Sequence, residues 1–178
     1  DLVRSRGLGD VYKRQVWITA VIAYGFAVMQ RTSLGVMGLT AAAHFNAPAS
    51  VVATFMVLQL AIYAVLQIPA GITVDRLGSR VVITAGSTVM AIGQVVMALA
   101  GSVGGAVLAR LLVGCGDAFI FGAAIRLVPA WFPPKQTPLV TQLTGLLGQF
   151  GQVVSAVGLV AMVNSNGWRS TYLCLLYT

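Results

Sequence analysis

The sequence has almost no acidic residues: it contains no glutamate, and four aspartates stand against eleven lysines and arginines. Charged residues make up only 8% of the chain, whereas soluble globular domains have roughly 25%. So few charges cannot cover a surface that faces water. One histidine and two cysteines also exclude a histidine-based metal site and a disulfide framework. We therefore expect no metal and no cofactor.

Motifs typical of enzymes are missing as well. The sequence contains no H-E-x-x-H, no G-x-S-x-G and no P-loop. Residues 114–116 read G-C-G, but they lack the third glycine and the preceding strand of a dinucleotide-binding fingerprint. We expect no enzymatic activity.

Long apolar runs dominate the sequence instead. Hydrophobic residues make up 58% of it, and the mean hydropathy is +0.89. The net charge of +7 would suggest a nucleic-acid partner in a soluble protein. Here the basic residues are scattered among apolar runs, which is typical of charges that orient a protein in a bilayer. The composition predicts an integral membrane protein that contacts lipid and binds no nucleic acid.

Five runs are long enough to cross a membrane, which takes about 20 apolar residues. The predicted helices span about 16–42, 50–70, 81–100, 105–128 and 139–163, and a sixth begins at 168–173. Pro129 and the prolines after it are expected to end the fourth helix. Residues 1–15 and 174–178 resemble adapter-derived sequence, so we interpret both as non-native tails around a helical bundle at 16–173.

Basic residues in the loops predict the orientation. Arg76 and Arg80 lie between the second and third helices, and Lys135 lies between the fourth and fifth, with Arg126 just before it. The first-to-second and third-to-fourth loops carry no lysine or arginine. Because basic loops stay in the cytoplasm, we expect a multi-pass protein of the inner (plasma) membrane with a cytoplasmic N-terminus. Arg126 itself is interpreted as an interfacial anchor.

Three ionisable side chains lie inside the apolar runs: Arg31 in the first, and Arg110 and Asp117 in the fourth. An ionised group at the bilayer centre costs at least about 2.5–3.5 kcal/mol. A bundle with a wet interior can hold such groups, whereas a single-pass anchor would not keep them. Two buried cations need counter-charge, which favours an anionic solute.

Arg31 follows Tyr24 by seven residues, so both lie on one face of the first helix. We interpret them as substrate-binding residues on a cavity wall, together with Arg110 and with Gln59 of the second helix. The alternative for Arg31 is a side chain that extends to the outer interface. Gln59, like the glutamines at 142, 149 and 152 of the fifth helix, either lines a pathway or bonds helix to helix.

Asp117 is the only acid in any predicted span, which makes it the candidate for proton coupling. It shares one helix stripe with Arg110 and lies about 10 Å from it along the axis, close enough to interact through water. The alternative is a structural role as the partner of an arginine, for example Arg31. Glycines at 145, 148 and 151 predict close helix contact.

Residues 71–80 read G-I-T-V-D-R-L-G-S-R and are similar to the G-x-x-x-D-R-x-G-R-R signature of the major facilitator superfamily. The matched positions are Gly71, Asp75, Arg76, Gly78 and Arg80. The resemblance implies that they form a cytoplasmic gating motif between the second and third helices.

A second motif of that family, R-x-x-x-G-x-G, is matched in the fourth helix by Arg110, Gly114 and Gly116. Residues 131–134 and 167–169 resemble two further landmarks of the family. Four landmarks in the right order, at the right helix spacing, are a specific signal that covers about residues 16–173.

Two positions depart from the family pattern. Ser79 replaces the first basic residue after Gly78, and the end of the fourth helix, where the family often has an acid, offers Arg126 instead. The Gly-Pro step of the antiporter motif is also absent, because Gly151 is followed by Gln152. This disfavours drug efflux, and residues 31–35 look more like members that take up organic anions.

The resemblance implies twelve helices in two halves, each half a pair of three-helix inverted repeats, with the first and fourth helices lining the central path. The chain would then be the N-terminal half of a secondary transporter with a truncated sixth helix, lacking the C-terminal half. We expect alternating-access uptake of a small organic or inorganic anion, with proton symport left open by Asp117. The alternatives are a drug or metabolite efflux antiporter, and a non-transporting receptor or assembly subunit.

Overall fold

The computed structural model describes residues 2–176, and the side chains of residues 13–175. Over these residues the backbone forms helices and no strand, which confirms the predicted all-α class. The helices are α1 Leu2–Val36, α2 Gly38–His44, α3 Ala49–Leu77, α4 Ser79–Leu99, α5 Val103–Trp131 and α6 Thr137–Leu176.

The first predicted span, 16–42, is divided in the structure. The helical backbone starts at Leu2 and α1 ends at Val36, after which the short helix α2 follows beyond Met37. The second predicted span ends too early at residue 70, because α3 continues through the polar residues to Leu77. Only Gly78 separates α3 from α4. Its φ of 80° is a conformation that glycine adopts without steric cost, which permits the abrupt change of direction.

Two further boundaries differ from the expectation. Pro129 lies inside α5, which continues to Trp131. A proline this close to a helix end removes one hydrogen bond and leaves the preceding turns intact. The predicted loop after residue 163 is helical and belongs to α6. The helical conformation is interrupted only at Gly167 (φ 78°, ψ 175°), so a separate helical segment begins at Trp168, where the sixth helix is expected.

Four of these helices, α3 to α6, are long and apolar enough to cross a bilayer. Helix α1, which contains most of the first predicted span, is not among these four within the described residues. Large apolar side chains point outward along the helices: Ile68 is 77% exposed and Val157 is 72% exposed. Such surfaces suit lipid and not water. The protein is a multi-pass membrane protein.

Helix α5 occupies the centre of the bundle, in contact with α1, α3 and α4. Two glycines permit the close packing. A Cβ atom at Gly116 would collide with the backbone carbonyl of Gly86 on α4, and one at Gly114 would collide with the backbone carbonyl of Gln59 on α3. The glycines of the R-x-x-x-G-x-G segment therefore serve helix contact, and they bring the polar residues of α5 into the interior.

Candidate functional site

Arg31 of α1 and Asp117 of α5 form an ion pair in the membrane-spanning part of the bundle. Arg31 Nη1 donates a hydrogen bond to Asp117 Oδ2 at 3.2 Å. The Asp117 side chain is fully buried, whereas 18% of the Arg31 side chain is exposed. The second carboxylate oxygen, Oδ1, has no hydrogen-bond partner among the described residues. Only one of the two carboxylate oxygens of Asp117 is thus hydrogen-bonded, and the guanidinium of Arg31 is partly accessible.

Aromatic rings surround the pair. The guanidinium carbon of Arg31 lies 5.7 Å from the ring centroid of Tyr63 on α3, within the range of a cation–π contact. Tyr24 is buried on the same face of α1, and its ring centroid lies 5.3 Å from that of Phe121. These rings limit the access of water to the cation, which strengthens its attraction to any anion.

Arg31 borders two cavities. The first, of about 410 Å³, is lined by Arg31, Tyr24, Tyr63 and residues of α5 and α6. The second, of about 270 Å³, lies between α1, α3 and α6 and includes Gln59 and Gln152. Among the described residues that line these two cavities, Arg31 is the only charged one. Both cavities therefore share one positive charge, the guanidinium of Arg31.

Gln59 holds the backbone of α1 at Arg31. Its Nε2 donates to the backbone carbonyl oxygen of Arg31 at 3.3 Å, and only 3% of the residue is exposed. The amide thus ties α3 to α1 at the level of the ion pair while its residue also borders the smaller cavity. Gln59 therefore hydrogen-bonds helix to helix and also borders a cavity.

Arg110 borders neither of these cavities and is completely buried. Its Nη2 donates to Tyr172 Oη at 3.1 Å, and both terminal nitrogens donate to Ser33 Oγ, at 3.3 and 3.4 Å. Within the described part of the chain, no carboxylate lies in ion-pair range of it, and its Nε is unpaired. Arg110 therefore connects α5 to α1 and to the last helical segment, and the water-mediated pairing that we expect with Asp117 is replaced by the Arg31 pair.

The predicted cytoplasmic turn contains a second ion pair. Arg126, near the end of α5, pairs with Asp75, near the end of α3, and both side chains are about half exposed, at 49% and 52%. Arg76 and Arg80 are exposed nearby. The acid of the D-R-x-G segment thus contacts a base on the neighbouring helix. Arg126, interpreted above as an interfacial anchor, also has a specific partner.

The family model of the Major Facilitator Superfamily matches residues 20–176 of this chain, most of its length. The chain belongs to this superfamily. The family match and the helical bundle confirm the resemblance on which the expected fold was based, and they identify a family of membrane transport proteins.

Several curated proteins that are named as transporters are similar to the chain. The probable L-galactonate transporter of Escherichia coli (strain K12) is 24% identical over 166 residues, which cover 91% of this chain and 37% of that protein. The probable sulfoacetate transporter SauU of Cupriavidus necator is 26% identical over 113 residues, which cover 64% of this chain and 26% of that protein. The hexuronate transporter of Escherichia coli (strain K12) is 24% identical over a segment of the same length. The chain spans little more than a third of the first of these relatives and about a quarter of the others.

Within this superfamily member, the structure brings Arg31, Tyr24, Gln59 and Asp117 together and places Arg110 apart from them. Tyr63 is not among the predicted substrate-binding residues. It follows Gln59 by four residues on one helix face, and this spacing indicates, for both residues, either a pathway-lining or a helix-bonding role; in the structure Tyr63 contacts Arg31. No comparable pattern marks Phe121, Ser33 or Tyr172.

Proposed function

We propose that this chain is the N-terminal half of an alternating-access secondary transporter of the major facilitator superfamily. The family match, the similarity to named transporters and the short coverage of those relatives support this proposal. The complete carrier would have a second six-helix half, and the substrate path would lie between the halves. The protein would lie in the inner (plasma) membrane with its N-terminus in the cytoplasm, as the basic loops predict.

The substrate class that the site supports best is a small organic anion that the carrier takes up. The observation that carries this is Arg31, a guanidinium inside the membrane that borders two cavities with no other charge. Guanidinium binds a carboxylate or a phosphate through two parallel hydrogen bonds. The names of the relatives, which refer to L-galactonate, sulfoacetate and hexuronate, agree with an anionic substrate.

The ion pair suggests how uptake is coupled to protons. While Asp117 is ionised, it neutralises Arg31 and competes with a substrate anion for the guanidinium. When Asp117 takes up a proton, this competition ends, and Arg31 is free to pair with the substrate. An anion and a proton would then occupy the site together, which is the thermodynamic basis of symport.

The cytoplasmic motif is proposed to control the conformational change and not to bind substrate. The residues concerned are Gly71, Asp75, Arg76, Gly78 and Arg80. The Asp75–Arg126 pair supports this role because it connects the ends of α3 and α5. The pair lies outside both cavities that Arg31 borders. A substrate-binding role for Arg110 stays a prediction, and its complete burial favours a role in holding the helices together.

The experiment is a flux assay on the full-length carrier, obtained by extending the gene beyond both ends of this chain. Proteoliposomes with the carrier should accumulate L-galactonate or a hexuronate when the outside is acidic, and a chain of residues 16–173 should be inactive because it cannot enclose the path. Specific uptake by residues 16–173 would overturn the half-transporter proposal. Export of cationic drugs in exchange for protons would indicate the efflux alternative, and anion binding without flux would indicate a receptor.

A further inference from the structure

Side-chain amides are concentrated in the two cavities beside Arg31. Gln142 and Gln149 line the cavity of about 410 Å³, and Gln152 lines the smaller one. Gln142 and Gln149 are seven residues apart on α6, so they occupy the same helix face two turns apart. Gly145 lies between them and borders the same cavity, with open space where a side chain would be. The glutamines therefore have room to reach a ligand held at Arg31.

These α6 amides have no partner in the part of the chain that the structure describes. Gln142, Gln149 and Gln152 make no hydrogen bond to other described residues, in contrast to Gln59, whose amide is bonded to the backbone of Arg31. An amide that loses water without gaining a partner is costly, by several kcal/mol in hydrocarbon. All three side chains are exposed in the described part of the chain, so we expect them to meet a polar partner in the complete transporter.

The chemistry of the cavity determines which partner suits them. One guanidinium accommodates one carboxylate. A glutamine amide carries both donors and an acceptor, and a hydroxyl group also donates and accepts, so the two are complementary in either direction. The rings of Tyr24 and Tyr63 line the same cavity as the cation and the two amides. The volume of the larger cavity lies in the range of about 300–1,000 Å³ that is usual for small-molecule sites.

We propose that Gln142 and Gln149 form a hydroxyl-recognising subsite beside Arg31, so that the carrier selects polyhydroxylated monocarboxylates over carboxylates without hydroxyl groups. This inference rests on the proposed function, because it assumes that an anion binds at Arg31. The competing explanation is that the two amides hydrogen-bond to helices of the second half and never contact substrate.

The test compares two six-carbon monocarboxylates, L-galactonate, which is hydroxylated along its chain, and hexanoate, which has no hydroxyl group. Equilibrium binding of each is measured on purified full-length carrier as the wild type, Gln142→Leu, Gln149→Leu and the double variant. Leucine removes the hydrogen-bonding atoms, retains much of the volume and is well tolerated in helices. Gln136→Leu is the matched control, because Gln136 precedes α6 and borders neither cavity.

Each single variant should bind L-galactonate roughly 3- to 10-fold more weakly, the loss expected for one neutral hydrogen bond, and should bind hexanoate as the wild type does. The double variant should lose more, and Gln136→Leu should lose nothing. Equal losses for both anions, or no loss for either, would overturn the subsite. Wild-type carrier that prefers hexanoate would overturn it too, whereas wild-type carrier that binds neither anion would contradict the proposed function itself.

Discussion

Arg31 and Asp117, which are 86 positions apart in the chain, meet as an ion pair with 3.2 Å between Nη1 and Oδ2. The acid is fully buried and the base is partly open to two cavities. Because Asp117 is buried and Arg31 is partly open, a ligand in either cavity would contact Arg31 and not Asp117. In the proposed mechanism, the pair links the protonation of Asp117 to the availability of the Arg31 guanidinium.

A first prediction concerns Asp117→Asn in the full-length carrier. Under the proposed coupling, ionised Asp117 competes with the substrate for Arg31, so substrate affinity in the wild type should rise as the pH falls, by at most about tenfold per pH unit for one proton. Asparagine resembles the protonated acid in shape and cannot ionise. The variant should therefore bind substrate with high affinity at every pH, and exchange substrate across the membrane, but fail to accumulate it against a gradient.

Binding isotherms between acidic and neutral pH, with counterflow and proton-driven uptake in proteoliposomes, check this prediction. Asp75→Asn is the control, because it makes the same chemical change at an exposed acid outside the cavities. If Asp117→Asn retains a wild-type pH dependence of binding, Asp117 is a structural partner of Arg31 and not the proton carrier.

A second prediction concerns the ion pair between Asp75, near the end of α3, and Arg126, near the end of α5. Asp75→Asn and Arg126→Gln should each slow turnover and leave equilibrium substrate affinity within a few-fold. Because both act on one contact, the double variant should be no slower than the slower single variant. Lys135→Gln removes a positive charge on the same side and should leave turnover unchanged. A large loss of affinity with normal exchange rates would show that Asp75 acts at the substrate site instead.

A third prediction concerns the buried contacts of Arg110. Tyr172→Phe removes the phenol that accepts a hydrogen bond from this arginine and leaves a charged group less well satisfied. Hydrogen bonds to charged groups contribute about 1.5–3 kcal/mol in soluble proteins, and hydrogen bonds in membrane proteins contribute about 0.6 kcal/mol on average. We expect the free energy of unfolding in micelles to fall by about 1–2 kcal/mol.

The same measurement on Ser33→Ala and on the Ser33→Ala/Tyr172→Phe double variant tests whether both act through Arg110. Their effects should not add, because they share one guanidinium. Ser165→Ala is the control, since Ser165 is exposed and bonds only to carbonyls of its own helix. Additive effects of Ser33→Ala and Tyr172→Phe would contradict the shared contact with Arg110.

The fold was largely predictable because long apolar runs have few structural alternatives in a bilayer. The helix ends were less predictable. Residues 71–77 are polar enough to suggest a loop, yet they continue α3, because a helix satisfies its own backbone hydrogen bonds beyond the edge of the apolar region. The interruption at Met37 has no proline or charge to mark it.

The charged residues of the site were predictable from the sequence, but the contact between Arg31 and Asp117 was not. Arg31, Arg110 and Asp117 are conspicuous as charges within apolar runs. Asp117 and Arg110 lie on one helix, and their spacing suggests an association. Which arginine contacts the acid, however, depends on how α1 and α5 pack, and glycines such as Gly116 control that packing through contacts with a third helix.

The central claim, that Arg31 binds the substrate anion, is tested most directly by a binding isotherm on purified, monodisperse Arg31→Lys protein in the full-length carrier. Lysine keeps the charge but cannot form the two parallel hydrogen bonds of a guanidinium. Loss of one partner of a buried charged pair costs about 2–5 kcal/mol, and because lysine retains the charge, we expect the low end, an affinity loss of roughly 30-fold. If Arg31 instead extends to the interface, lysine will replace it without effect. An affinity for L-galactonate equal to that of the wild type would contradict the account and remove Arg31 from the site.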